Sequence, residues 1–388
     1  MKMKPFNQFI PTRLYFGCGE INQLSKVTLP GTKALIVISA GTSMRKFGYL
    51  DKVTSLLSTQ GVESVIFDKI LPNPIKDHVM EAAALCRETN CDFIVGLGGG
   101  SSIDSAKSIA IMACNTGDYW DYVGGGTGLG KEPVGGALPV IAITTTAGTG
   151  TEIDPWTVIT HNCEKVGYGI EATFPVISIV DPEMMLSVPA KLTAYQGFDA
   201  FFHAAEGYIA SCATPISEIY SLKSIELIYK SLPTTVADGS NIEARTDVAL
   251  ANTLAGMVES TSSCTSEHSL EHALSAYHPE LPHGAGLISI SIAYFKQFIE
   301  VCPERLSAMA TAMTGEKSND AMDFIVALEK LQVACGVDKI ALSEWGVTPD
   351  EFQTLAQNAR ATMAGLFAAD RCDLSEEKCI AIYRDSFR

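Results

Sequence analysis

The chain has 388 residues, 47% hydrophobic and 19% charged, a balance that excludes a disordered chain and leaves room for two domains with a sizeable core. A net charge of −16 argues against nucleic acid or an anionic membrane as partner, because both need a basic surface. The opening MKMKPFNQFIP has lysines but no apolar run behind them, so it is not read as a signal peptide. No stretch approaches the roughly 20 apolar residues that span a bilayer. Eleven cysteines without a C-x-x-C pair predict reduced, mostly buried thiols in a cytoplasmic protein.

In chain order, residues 33–39 (KALIVIS) form a β-branched run and predict a strand. Residues 51–60 have helical spacing, 62–67 are strand-like again, and 77–90 form a helix. Residues 93–97 predict a strand running into glycines, 101–114 a helix, and 140–144 another strand. Nearly continuous apolar strands alternating with helices imply a parallel sheet covered on both faces. Residues 177–180 read as the last strand. After that, 190–208, 217–232, 241–264 and 267–276 all have helical texture, and the tail from Pro303 continues so. The expected architecture is an α/β, Rossmann-like dinucleotide-binding domain over 1–184. An all-helical metal- and substrate-binding domain follows over 185–388, with ligands in the cleft between the two.

Two loops in the first half suit phosphate. In VGLGGGSSIDSAK, glycines 98–100 let backbone approach an anion, Ser101 and Ser102 can cap the following helix, and Asp104 complements its dipole. In TTTAGTGTE, hydroxyls and glycines follow the strand at 140–144 and can take phosphate and ribose oxygens. Either loop alone is also an ordinary turn. Neither is a G-x-G-x-x-G or a P-loop, and together they favour a dinucleotide.

The second half holds the chemistry. Of seven histidines, four lie between His268 and His283. Asp199 and His203 are four residues apart in GFDAFFHAAEG and share a helical face. His268 and His272 are one turn apart, and His283 is fixed between Pro282 and Gly284. Singly, each reads as a surface ion pair or a satisfied core histidine. Together, in a histidine-poor chain, a carboxylate and imidazoles make a first-row metal site. Phe198, Phe202, Leu274 and Tyr277 are candidates for an apolar substrate pocket, although each residue of this kind is more often part of the core.

With GLGGGSSIDSAK, TTTAGTGTE, FPVISIVDPEMMLSVPAKLTAYQGFDAFFHAAEGYIA and SLEHALSAYHPELPHGAG in this order, the chain resembles the iron-containing (group III) alcohol dehydrogenases. The likeness runs from PTRLYFGCG to beyond His283 and weakens toward the end. It implies one divalent ion, Fe(II) or alternatively Zn(II) or another metal, on Asp199, His203, His268 and His283. The family gap of 14 between the last two histidines is 15 here, placing one extra residue in the loop around 277–280 beside His278. The resemblance further implies pyridine-nucleotide contacts at Asn73, Gly99, Gly100, Ser101, Asp104, Thr145, Thr146, Thr149 and Lys165. Where many members carry a ribose-binding acid, this chain has Ser39, followed by Thr42, Ser43, Arg45 and Lys46, so NADP(H) is favoured over NAD(H). The implied activity is hydride transfer between NAD(P)(H) and a small primary alcohol or aldehyde, in a homodimer or larger assembly. His272, one turn from His268, reads either as a relay of the alcohol proton to solvent or as a packing histidine that supports the ligands.

Two rival readings exist. A dehydroquinate-synthase-like or glycerol-dehydrogenase-like enzyme would share the architecture, but a phosphorylated substrate needs a basic cluster, and 199–284 has few Lys or Arg. A non-enzymatic metal- or nucleotide-binding regulator would need a metal site closed by protein.

Overall fold

The computed structural model describes residues 5–388; residues 1–4 of the opening segment lie outside the described residues. Six strands form one sheet: β1 (Arg13–Phe16), β2 (Lys33–Ser39), β3 (Glu63–Ile70), β4 (Phe93–Gly98), β5 (Val140–Thr144) and, after a hairpin, β8 (Ile177–Val180). Their order is β1-β8-β5-β4-β2-β3 and every pair is parallel. Side chains of β2 alternate between two cores, with Leu35 and Val37 on one face and Ala34, Ile36 and Ile38 on the other. That is why KALIVIS is apolar at nearly every position.

Helices α1 (Ser43–Lys46), α2 (Tyr49–Thr59), α3 (Lys76–Glu88) and α4 (Gly100–Cys114) accompany the sheet. The helical half comprises α5 (Ala190–Ile209), α6 (Pro215–Ala237), α7 (Ile242–Thr261), α8 (Ser266–Tyr277), α9 (His283–Lys296), α10 (Pro303–Thr314), α11 (Met322–Ala334), α12 (Phe352–Thr362), α13 (Ala364–Ala369) and α14 (Glu376–Ser386). A third core fills it, centred on Phe198, Phe201, Phe202, Phe295 and Phe324. The expected fold class is therefore present.

Three local expectations are corrected. The four-residue β1 and the antiparallel hairpin β6 (Trp156–His161)–β7 (Glu164–Gly169) had not been read as strands. The helix expected to stop at 232 continues through Pro233 to Ala237. Burial of Leu232 and Thr235 outweighs the one backbone bond that Pro233 forfeits. Phe198, Phe202 and Leu274 are core residues, fully buried in the helical half, and Tyr277 packs against the same core. All eleven cysteines are free and six are buried. Among the described residues no helix is long and apolar enough to cross a membrane.

Candidate metal and dinucleotide site

The carboxyl ends of β4 and β5 lie side by side, Gly98 opposite Thr144. Gly98 has φ 145°, which only glycine adopts without strain, and the chain turns there into α4. Gly99 and Gly100 open that helix. A Cβ on Gly100 would lie 2.4 Å from Thr149 Cγ2, and one on Gly99 3.0 Å from Thr146 Oγ1. The absent side chains leave a cradle between the two loops, with helix N–H groups pointing into it. The residues thus fit a pyrophosphate.

The predicted nucleotide residues divide. Asn73, Gly99, Gly100, Ser101, Asp104, Thr146, Thr149 and Lys165 line one cleft, whereas Ser39 and Thr145 do not. The Thr145 N–H instead bonds to the Gly98 carbonyl at 2.9 Å, tying the loops together. Asp104 is engaged by protein, accepting from Thr151 Oγ1 at 2.6 Å and Val158 N at 3.0 Å. Beneath it the buried Lys107 ammonium contacts Asp154 Oδ1 at 3.0 Å. Ser39 ends β2, and Arg45 nearby is held by Asp68 at 2.6 Å in a half-exposed pair.

Asp199, His203, His268, His272 and His283 line the same cleft. The i, i+4 pairs on α5 and α8 aim both helices' polar faces at it, and α9 begins at His283 itself with Pro282 as its N-cap. Asp199 Oδ1 lies 3.8 Å from His203 Nε2, 3.5 Å from His268 Nε2 and 3.4 Å from His283 Nε2. Bonds of about 2.1 Å to one ion require edges of about 3.0 Å (octahedral, cis) to about 3.4 Å (tetrahedral), so these separations approach a coordination polyhedron.

The outer nitrogens are fixed by partners. His268 Nδ1 is held by Glu206 Oε1, His283 Nδ1 by Glu271 Oε2, and His203 Nδ1 faces the Gly148 carbonyl at 3.3 Å. The Glu206, Glu271 and Gly148 oxygens are acceptors and lie nearer than the Lys165 ammonium, 3.4 Å from His283 Nδ1, so each places a proton on Nδ1 and leaves Nε2 to face the cleft. Buried Asp199 Oδ1 and His268 Nε2 have no hydrogen-bond partner. Orphaned acceptors facing one another without a donor between them fit a cation. Burial holds His203 neutral, its pKa lowered to about 3. Burial, with Lys165 close by, likewise keeps His272 well below the usual imidazole range.

His278 takes no part: it caps α8 and faces Glu351 at 3.4 Å. The loop with the extra residue is anchored by Asn73 Nδ2, which donates to Pro279 O at 2.8 Å. Lys165 reaches Ser275 Oγ at 2.9 Å, Asn73 Oδ1 at 3.2 Å and Glu271 at 3.5 Å, so it braces the support of His283.

Sequence reasoning missed Glu206 and Glu271, although both follow a predicted histidine by three residues on the same helix. It also missed Cys264, whose Sγ groups with the rings of His203 and His268, and Glu259, 3.4 Å from His203 Nε2. Burial, with the Asp154 carboxylate nearby, pushes Glu259 well above the usual carboxyl range. Apolar walls come from Leu192, Tyr195, Met363 and Leu366 rather than from the predicted phenylalanines.

A parallel sheet with a glycine cradle at adjacent strand ends, facing converging metal-type ligands, defines a nucleotide-dependent oxidoreductase architecture. A family profile described as iron-containing alcohol dehydrogenase matches residues 11–182, and the C-terminal profile of the same family matches 193–387. The chain belongs to the iron-containing alcohol dehydrogenase family. It is 34% identical to the NAD-dependent methanol dehydrogenase of Bacillus methanolicus, over 91% of this chain and 93% of that one. It is 33% identical to the 1,3-propanediol dehydrogenase of Klebsiella pneumoniae over the whole of both chains. The crystal structure of an archaeal alcohol dehydrogenase from a Red Sea brine pool superimposes with a TM-score of 0.95 at 34% identity, covering 100% of each chain.

Proposed function

We propose that the protein is a metal-dependent alcohol dehydrogenase or aldehyde reductase. It would exchange a hydride between a nicotinamide dinucleotide and a small primary alcohol or aldehyde. The observation that carries this reading is the convergence of orphaned Asp199 Oδ1 and His268 Nε2 on the cleft that also holds the Gly99–Gly100 cradle. Asp199, His203, His268 and His283 would hold the divalent ion. One carboxylate and three imidazoles accept iron(II), the family's expectation, and also zinc(II). A bound ion supplies Lewis acidity that lowers the alcohol's pKa, and the nicotinamide supplies the hydride acceptor or donor.

The chain's own residues do the rest. Backbone N–H groups of Gly99, Gly100 and Ser101 orient the pyrophosphate while Thr146 and Thr149 close over it. Leu192, Tyr195, Met363 and Leu366 keep water from the reacting carbon. His272, whose buried Nδ1 has no partner, holds and passes on the alcohol proton. Ser39 in place of an acid favours NADP(H), with the 2′-phosphate drawing Arg45 away from Asp68. The chain divides functionally at 184/185, and the enzyme is a cytoplasmic homodimer or larger assembly.

The test is metal analysis of the purified protein with NADH and NADPH turnover over C2–C6 aldehydes. His268→Ala should lose metal and activity together, whereas full turnover in metal-free protein would refute the proposal.

A further inference from the structure

Two groups of candidate ligands meet at one histidine. A ligand atom each of Asp199, His268 and His283 lie within 4.8 Å of one another, and so do a nitrogen each of His203 and His268 and the Cys264 sulfur. His268 stands in both groups. Its Nδ1 is committed to Glu206, so the atom left for a metal bond is Nε2, which is buried and has no hydrogen-bond partner. His203 likewise offers Nε2, because its Nδ1 faces the Gly148 carbonyl. Cys264 lies two residues before α8, is buried with a free thiol, and lines the cleft.

The two groups differ in chemistry. Asp199, His268 and His283 present one oxygen and two nitrogens, donors suited to an ion such as iron(II). Cys264, His203 and His268 present one sulfur and two nitrogens, and thiolate selects softer ions such as zinc(II) or copper(I). A tetrahedral ion with bonds of about 2.1 Å to nitrogen and about 2.3 Å to sulfur needs edges of about 3.4–3.6 Å. Rotation about the single side-chain torsion of Cys264 can bring its sulfur to that range. His268 Nε2 has one lone pair, so the two groups cannot be filled at once.

We propose that Cys264, His203 and His268 form a soft-metal site that overlaps the site of the harder ion and excludes it. A thiophilic cation takes the Cys264 sulfur as thiolate, the thiol proton passing to solvent. It leaves Asp199 and His283 without their shared histidine and so displaces the other ion. The inference rests on the metal site of the proposed function for what is displaced, whereas the sulfur site stands on its own ligands.

Cadmium(II) and iron(II) serve as probes on the full chain, stripped by chelator and kept anaerobic. One equivalent of cadmium should produce the ultraviolet charge-transfer band of a cadmium–thiolate bond, which oxygen and nitrogen ligands do not give. On iron-loaded protein it should release one iron per cadmium bound, read with a chromophoric iron chelator. Cys264→Ser should lose the band and raise the cadmium Kd by about 10-fold or more, at least what loss of a supporting group does. Its iron Kd should stay unchanged. Cys264→Ala should behave alike and serves if the serine variant misfolds. Asp199→Asn should lose iron yet keep the cadmium band. No band in the wild type, a band undiminished in the folded Cys264 variants, or cadmium bound beside retained iron overturns the proposal. A wild type that binds no iron but shows the Cys264-dependent band overturns the parent reading and supports the sulfur site.

Discussion

Replacing Glu206 by Gln should weaken metal binding through an atom that never touches the metal. Glu206 is fully buried. Its Oε2 accepts from Thr265 N at 2.7 Å and Thr265 Oγ1 at 2.9 Å, and its Oε1 holds His268 Nδ1. Glutamine has nearly the same volume but only one acceptor oxygen. If that oxygen keeps the two Thr265 bonds, the amide NH2 confronts His268 Nδ1, and the ring proton is driven to Nε2. That nitrogen faces Asp199 Oδ1 at 3.5 Å and must present a lone pair to a metal. If the amide flips, two Thr265 donors lose their acceptor instead. Supporting carboxylates of metal-bound imidazoles are worth about 10–100-fold in affinity, or roughly 1.4–2.7 kcal/mol. We expect the upper part of that range, because the new amide opposes the required tautomer as well as ceasing to support it. The metal-free Tm should fall as well, because the amide cannot serve both the Thr265 donors and His268 as the buried carboxylate does. Competition titration with a chromophoric chelator, alongside melting of the metal-free protein, separates the two effects. A folded Glu206→Gln variant with wild-type metal affinity would refute the tautomer argument.

Gly100→Ala would place a methyl carbon 2.4 Å from Thr149 Cγ2, narrowing the pyrophosphate cradle. KM for the dinucleotide should rise several-fold with metal content unchanged, and steady-state titration of the cofactor checks it. Ser39→Asp should move kcat/KM toward NADH by about tenfold or more, through repulsion of a 2′-phosphate; the two reduced cofactors compared on one aldehyde decide the matter. Burial raises Asp370 to about 7, although Ser266 and Tyr294 bond to it. Because the folded state keeps this proton longer than the unfolded state, its stabilisation is complete below about pH 4 and is lost as pH rises toward 7. The loss is at most about 4 kcal/mol for a shift of about three units. Asp370→Asn should flatten that slope in urea melts across pH 4–7, and an identical slope would count against it.

Much of this was legible because periodicity survives folding. The parallel strands read as apolar runs since both faces are covered, and the ligand helices were visible as i, i+4 pairs. The strand β1 was hidden by its length, four residues paired on one side only at the sheet's edge. The hairpin β6–β7 turns at Asn162, at φ 53°, with no glycine to announce it. Glu206 and Glu271 carried a usable signal, each completing a polar helical face begun by a histidine. Glu259 did not, because it reaches the site by the crossing of α7 over the nucleotide loop, a contact that no local spacing encodes, whereas Cys264 lies four residues before His268 in the connection into α8. The predicted phenylalanine pocket failed for the opposite reason: Phe198 adjoins Asp199 in sequence but points a quarter-turn away, into the core.

The Gly148 carbonyl that orients His203 belongs to the loop between β5 and β6, the same loop that presents Thr146 and Thr149 to the pyrophosphate cradle. Any displacement of that loop by a bound dinucleotide is felt at His203 Nδ1, and any tightening of His203 on an ion is felt by the loop. A loop shared in this way would link the two sites, and by reciprocity the factor by which a nucleotide changed metal affinity would equal the factor by which metal changed nucleotide affinity. The grip on an ion at His203 would then depend on cofactor occupancy, rising or falling according to whether the bound nucleotide draws Gly148 toward the ring or away from it.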